Sequence, residues 1–313
     1  MSIQKYRAFL TVADQKSLTK AANILGYTQP GISLMVSSLE EELGIQLLLR
    51  GKSGVSLTEE AKHLLPHMQQ IVSSENTLRE ASNQLKGIEI GSLNVGGFLS
   101  VCTKWFPSIV SAYLTQHPRI DLRIFEGTYG EIQSWLMEGK IDLAINSYPP
   151  PNNFDFLPLW EDPILAVLSR ENPLSHLESI DLQQMIQYPF IIPNTGADET
   201  IQYVLKQENL EPTVRFRIKG DIATLSMIAQ NLGVSLIPEL AIIPCHPNIV
   251  TRPLKKPYFR TLGISARSFK HMSYAAHAFI LLVKEFIQGE KNHQLLCFPH
   301  NSSWRSIYVP FSY

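Results

Sequence analysis

Residues 17–44, "SLTKAANILGYTQPGISLMVSSLEEELG", carry two helical apolar patterns on either side of a short break. The break, "GYTQP" (26–30), supplies a helix-ending glycine, two hydroxyl groups and a proline. Two helices joined this tightly bury little surface by themselves; the arrangement serves to aim the second helix at something outside the protein. Leu18, Ala21, Ala22 and Leu25 form the inner face of the first helix, with Ser17 as its N-cap and Gly26 as its terminator. Thr28 caps the next helix, and Pro30 falls in its first turn, where a missing N–H costs little. Ile32, Met35, Val36 and Leu39 then face inward as far as Gly44.

Working outward, Ile3, Tyr6, Phe9, Leu10 and Ala13 share one face of an earlier helix. Downstream, "IQLLLRGKSGVSLT" (45–58) places two extended segments around "GKSG", a hairpin signal. From Glu59 to Lys86 a long helix is expected, with Ala61, Leu64, Met68, Ile71, Leu78 and Leu85 in alternating three- and four-residue steps. Such a narrow stripe favours pairing with a helix of a second copy, and Pro66 is expected to kink its first third. Beyond Gly87, strand-like runs at 92–97, 120–127, 141–147, 189–193, 234–238 and 261–267 alternate with helical segments at 101–116, 129–138, 197–208, 221–231 and 273–287. This alternation implies parallel sheets wrapped by helices, and its length implies two α/β lobes.

Composition narrows the class. An apolar fraction of 44% with 18% charged residues is that of an ordinary globular protein, and the net charge of −1 gives no global attraction to nucleic acid or anionic membrane. Any DNA-binding reading must rest on a local motif. Cys102, Cys245 and Cys297 are odd in number and far apart, which argues against a disulfide framework and fits a reducing compartment. The first residues lack a signal-peptide core, and "AAHAFILLVKEFI" (275–287) is too short and too interrupted to span a membrane. A cytoplasmic location is expected.

The ordered set Ala21-Ala22, Thr28-Gln29-Pro30, Ser33, Leu39-Glu40, Leu43-Gly44, Arg50 and Leu57-Thr58 resembles the LysR-type family of bacterial transcriptional regulators. The likeness continues more weakly to about residue 288 through "LNVGG", "FPSIVSAYLTQHPRIDL", "EGTYGEIQSWLMEGKIDLAI", "ENPLS" and "NLGVSLIPEL". It implies a winged helix-turn-helix DNA-binding domain over residues 1–58, a linker and dimerisation helix over 59–88, and a two-lobed α/β effector domain like those of periplasmic binding proteins over 89–288. Lobe one is expected at 90–163 and 267–288, lobe two at 164–266, and residues 289–313 form an aromatic tail with no assigned role. The family further implies a homodimer or homotetramer, promoter DNA and RNA polymerase as partners, and a small-molecule effector in place of a resident cofactor.

Chemistry agrees with the resemblance. The second helix of such a motif enters the major groove and presents its N-terminal residues to base edges. Those residues here are Thr28, Gln29, Pro30 and Ser33, followed by Leu34 and Ser37 on the outward face. Gln29 suits bidentate contact with adenine, and Pro30 or Leu34 suits a thymine methyl. Ser17 can offer donors to phosphate, and Arg50 and Lys52 in the wing can reach the backbone. Family members usually carry an Arg or Lys in the later turns of this helix, where this chain reads "SLMVSSLEEE" (33–42). Residues 1–65 have a net charge of only +1, so few phosphate contacts and a shallow salt dependence are expected.

In an effector domain of this type, ligands bind outside the carboxyl ends of strands, where loops lead into helix N-termini. "GGFLS" places Phe98, Leu99 and Ser100 there, "GTYGE" adds Thr128, and "NTGAD" adds Asn194, Thr195 and Gly196. Asn146 and Ile222 are expected to complete the walls. Free amides and hydroxyls at helix starts suit a carboxylate or another small anion. His63 with His67, and His293 with Cys297 and His300, have metal-ligand spacing but too few partners, so no metal is expected. Cys102, near the cleft, reads as a buried thiol rather than an oxidant sensor. No HExxH, GxSxG, P-loop or paired CxxC motif occurs, and no enzymatic activity is expected. The rival reading is a cytoplasmic small-molecule-binding protein or enzyme that uses its N-terminal helices for assembly; a regulator with an empty cleft is the other.

Overall fold

A computed structural model describes residues 2–51, 54–85, 90–147, 154–193, 198–242 and 246–297. The chain opens with three helices, α1 (Ile3–Gln15), α2 (Leu18–Leu25) and α3 (Gln29–Leu43), and a hairpin of β1 (Leu48–Gly51) and β2 (Gly54–Leu57). Local chemistry sets each boundary. The Ser17 hydroxyl accepts from the Lys20 N–H and the Thr28 hydroxyl from the Gly31 N–H, each at 3.3 Å. Gly26 and Gly44 end α2 and α3 in the left-handed region that glycine enters without strain. Phe9, Val12, Ala21, Ile32, Val36 and Leu39 form the fully buried centre of this unit.

The linker helix α4 runs unbroken from Glu59 to Leu85 with Pro66 inside it. Its apolar stripe is not one seam. Ala61 and Met68 are buried in the N-terminal core with Leu64 and Val72 packed beside them, while Ile71 near the middle of the helix and Leu78 beyond it stay exposed. An amphipathic helix leaving a small domain first closes that domain's core, which the three-four spacing alone does not reveal. On the other side, Arg7 of α1 pairs with Glu75 and bonds Asn76, tying the two helices together.

Beyond residue 90 lie β3 (Gly91–Gly97), α5 (Leu99–Lys104), α6 (Phe106–Gln116), β4 (Ile120–Glu126), α7 (Tyr129–Glu138), β5 (Leu143–Ser147) and β6 (Asp155–Ser169). After them come α8 (Leu182–Met185), β7 (Phe190–Pro193), α9 (Asp198–Gln207), β8 (Val214–Ile218), α10 (Asp221–Ala229), β9 (Ser235–Pro238), β10 (Ile249–Pro253), β11 (Phe259–Ala266) and α11 (Tyr274–Cys297). The expected helix over 101–116 is two helices that meet at Trp105, because Pro107 cannot donate into a continuous ladder. The sheet is mixed rather than parallel. Strands β4, β3 and β5 run parallel, and β11 lies antiparallel between β5 and β6.

Strand β6 belongs to both lobes. Residues 155–163 pair with β11, and residues 164–169 pair with β9 and β10. Two cores lie on either side of this crossing. Leu93, Val95, Trp105, Phe106, Tyr113, Trp160, Ile264 and Phe279 centre the first, and Leu168, Met185, Phe190, Ile192, Ile201 and Leu236 the second. Since Leu262, Ile264 and Ala266 pack in the first core, lobe one takes up the chain from about residue 259, not from 267. At Gly263 the β6–β11 register shifts, and an added Cβ would stand 2.4 Å from the Leu157 carbonyl oxygen. Only glycine lets the two backbones approach so closely.

Candidate functional site

The exposed edge of the first domain is the start of α3. Burial of Ile32, Val36 and Leu39 turns Gln29, Pro30, Leu34 and Ser37 to the outside, with Thr28 exposed at the cap and Ser33 half-buried. Ser17 is half-buried at the start of α2, bound to its own helix. Arg50 stands in β1 opposite Val55, while Lys52 lies outside the described residues. Three of the domain's cations are already matched: Lys5 with Glu42, Arg7 with Glu75 and Lys62 with Glu59. Lys16 and Lys20 are exposed on the same domain.

The second site is a cavity of about 300 Å³ at the carboxyl ends of the parallel strands. Strand β3 delivers Phe98, Leu99 and Ser100, β4 delivers Glu126 and Thr128, and β5 delivers Ser147. Lys219, Gly220 and Asp221 come from the other lobe, and Arg260 from the start of β11. Asn146 does not reach this cavity. It is 1% exposed and its Oδ1 accepts from the Ser265 hydroxyl at 2.6 Å; alternation along β5 turns the next residue, Ser147, to the cleft instead. Ile222 is 53% exposed and outside the lining, one position past Asp221. Asn194, Thr195 and Gly196 lie outside the described residues, although Thr200 of the following helix lines the cavity.

Arg260 organises the wall. Its Nε and Nη2 donate to Asp162 Oδ2 at 2.8 and 2.7 Å, and Nη2 also donates to the Ser100 hydroxyl at 3.2 Å. Asp162 Oδ1 accepts from the Leu240 N–H at 2.9 Å, linking both lobes through one carboxylate. The guanidinium lies 5.9 Å from the centre of the Phe98 ring. Burial pushes the Asp162 carboxyl above its ordinary value, opposed by Arg260 and the Leu240 amide. Across the cavity, Thr128 and Glu131 form a reciprocal cap on α7, and the Thr128 N–H and hydroxyl hold the Glu131 carboxyl below its ordinary value. The wall thus carries Glu126, Glu131 and Asp221 as well as Lys219 and Arg260, so it is not the purely anion-seeking surface expected from helix starts alone.

Cys102 sits behind this wall, half-buried, its Sγ 3.6 Å from the Gly97 carbonyl oxygen. Burial, with Glu126 nearby, pushes its thiol up to about 12. His63 and His67 are exposed on α4, and among the described residues no cluster of three metal-ligating side chains occurs. His293, Cys297 and His300 fall outside the described side chains. No helix among the described residues is long and apolar enough to cross a membrane. Asp162 and Arg260 are the residues that sequence reading missed. The available signal was opposite charges inside two largely apolar strand-like runs, Glu161 and Asp162 in "LWEDPILAVLS" and Arg260 in "FRTLGISA".

Comparison with known proteins matches both domains. Residues 3–62 match the bacterial regulatory helix-turn-helix domain of the lysR family, and residues 86–288 match the LysR substrate binding domain. The chain is 28% identical over 293 residues, 93% of its length and 100% of the relative's, to the uncharacterized HTH-type transcriptional regulator YvbU of Bacillus subtilis. It is 27% identical over 265 residues to the probable HTH-type regulator LrrA of Synechococcus elongatus, covering 84% of this chain and 90% of the relative. A full-length OxyR variant from Pseudomonas aeruginosa superposes with a TM-score of 0.74 at 25% identity, over 92% of this chain and 98% of that one. Full-length CbnR, solved with its target DNA, shares the fold with a TM-score of 0.62 at 20% identity, over 91% of this chain and 100% of its own. The chain belongs to the LysR family: it is a DNA-binding transcriptional regulator with a LysR-type substrate-binding domain.

Proposed function

We propose that a small-molecule effector binds in the interlobe cavity and resets how this regulator holds its promoter. The carrying observation is that one cavity draws its walls from both lobes, with Ser100, Arg260, Asp162 and Leu240 joined in a single hydrogen-bonded chain across them. A ligand that prefers one lobe arrangement shifts the population toward it, to the extent of its differential affinity. Phe98, Leu99, Ser100 and Thr128 are the contact residues on lobe one, and Lys219, Gly220 and Asp221 those on lobe two. The bound molecule carries both polar groups and an apolar part, matching the mixed charges and the Phe98 ring.

The unit of action is a homodimer, in which the exposed Ile71 and Leu78 of α4 meet their counterparts, or a tetramer built from two such pairs. The N-terminal domain reads double-stranded DNA through Thr28, Gln29, Pro30, Ser33, Leu34 and Ser37, with Ser17, Arg50 and Lys52 on phosphates. RNA polymerase is the downstream partner, and the chain performs no catalysis of its own. Purified protein mixed with the DNA upstream of its own gene and with a scrambled duplex, at two salt concentrations, tests the reading. Preference for the promoter that survives the higher salt is expected, whereas equal and salt-sensitive binding to both would refute it. Ser100→Leu fills the cavity beside Arg260; it is expected to keep promoter binding and lose the response to metabolite extract. An unchanged response would remove Ser100 from the site.

A further inference from the structure

The outward edge of α3 carries an apolar group in an uncharged setting. Leu34 is 71% exposed, the most exposed large apolar side chain among the described residues. Isolated exposed leucines are common, so its neighbours decide its meaning. From Thr28 to Leu39 there is no Lys, Arg, Asp or Glu, and over the whole of α3 no cation. Guanine is read in the major groove chiefly by Arg or Lys on O6 and N7. This helix offers neither, only an amide, hydroxyls and the apolar surface of Pro30 and Leu34.

A helical side chain leans toward the N-terminus of its helix, so Leu34 covers the surface over the turn before it. That turn holds Pro30 and Gly31, and Gly31 contributes no side chain to keep a base edge away. The only apolar group that a base displays in the major groove is the C5-methyl of thymine. Glu41, exposed two turns farther on the same outward face, repels phosphate and confines docking to this end of the helix.

We propose that Leu34 is a specificity-determining residue of this chain and reads one thymine in each half-site through its C5-methyl group. The proposal rests on the helix-turn-helix reading of promoter DNA and deepens it. Pro30 and Gln29 fix the neighbouring contacts, and Leu34 supplies discrimination in a helix that has no Arg or Lys for guanine.

The test replaces each thymine of the footprinted promoter site, one at a time, by deoxyuridine, which removes the methyl and keeps base pairing, O4 and the phosphates. Binding of the full-length protein is expected to weaken about fourfold at one thymine per half-site, the worth of one buried methyl, and about fifteenfold when both half-sites are changed. Leu34→Ala, whose side chain takes no part in the core, is expected to bind the thymine site correspondingly more weakly and to show no further loss on uracil. A uracil penalty that persists undiminished in Leu34→Ala overturns the proposal, as does one abolished by Pro30→Ala but not by Leu34→Ala. If the wild-type protein shows no preference for the promoter, the DNA reading itself fails and the proposal with it.

Discussion

Replacing Asp162 with Asn isolates the electrostatic work of the interlobe pair. The amide keeps an oxygen for the Leu240 N–H but removes the negative charge that receives both Arg260 N–H groups. Arg260 is 8% and Asp162 1% exposed, so the lost partner cannot be replaced by bulk water on most of its surface. Removing one member of a buried pair costs about 3–5 kcal/mol. Arg260 faces a cavity of about 300 Å³ and keeps the Ser100 hydroxyl, which lowers the expectation to about 2–3 kcal/mol. With a urea dependence of about 2 kcal/mol per molar, the midpoint falls by about 1–1.5 M. Tryptophan fluorescence reports it, because Trp160 lies two residues away and packs edge-on against Trp105 with ring centres 6.0 Å apart. The paired replacement Asp162→Leu with Arg260→Met is expected to recover most of the loss, since it leaves no orphaned charge. A midpoint within about 0.2 M of wild type for Asp162→Asn would refute the claim that this pair holds the cleft together.

Other expectations follow from single contacts. With its thiol pushed up to about 12, Cys102 has a thiolate fraction on the order of one in ten thousand at pH 8, so iodoacetamide should label it only after denaturation or at strongly alkaline pH; rapid labelling of the folded protein, read by peptide mass spectrometry, would contradict this. Gly263→Ala drives a Cβ to 2.4 Å from the Leu157 carbonyl and is expected to cost about 2–3 kcal/mol in urea unfolding, more than alanine at exposed Gly130, where nothing stands within 4 Å. Promoter binding should lose affinity with salt along a log–log slope no steeper than about −8 for the dimer, because Lys5, Arg7 and Lys62 already face acids. A steeper slope in filter binding would mean that those pairs open on DNA.

The DNA-reading half was legible because its signals are local. Ser17, Gly26, Thr28, Pro30 and Gly44 act within four residues of themselves, so their order along the chain already states the geometry. The effector half was legible only in outline. Strand β6 escaped notice because Pro158 and Pro163 argue against a central strand, yet both residues sit where the sheet changes partners or register. Asp162 and Arg260 meet across 98 positions of sequence, a distance at which no periodicity carries information. The cavity takes Ser147 and Asp221, each one residue from an expected position: along β5 a shift of one exchanges core for cavity, so Asn146 points inward, whereas Ile222 sits exposed in the first turn of α10.

The lobes share one uninterrupted strand rather than a loop. Pro163 pairs with Phe259, and immediately beyond it the Ile164 N–H donates to the Tyr258 carbonyl at 2.8 Å, so the two crossings are stitched to each other at the waist. A waist of two hydrogen-bonded strands is expected to act as a torsion spring, with relative motion of the lobes bounded by how far that ribbon can wind. If an effector binds between the lobes as proposed, the message passed toward the DNA-reading domain is expected to be a small rotation with a restoring force. The regulator would return to its resting geometry as soon as the ligand leaves, with no latch to be undone.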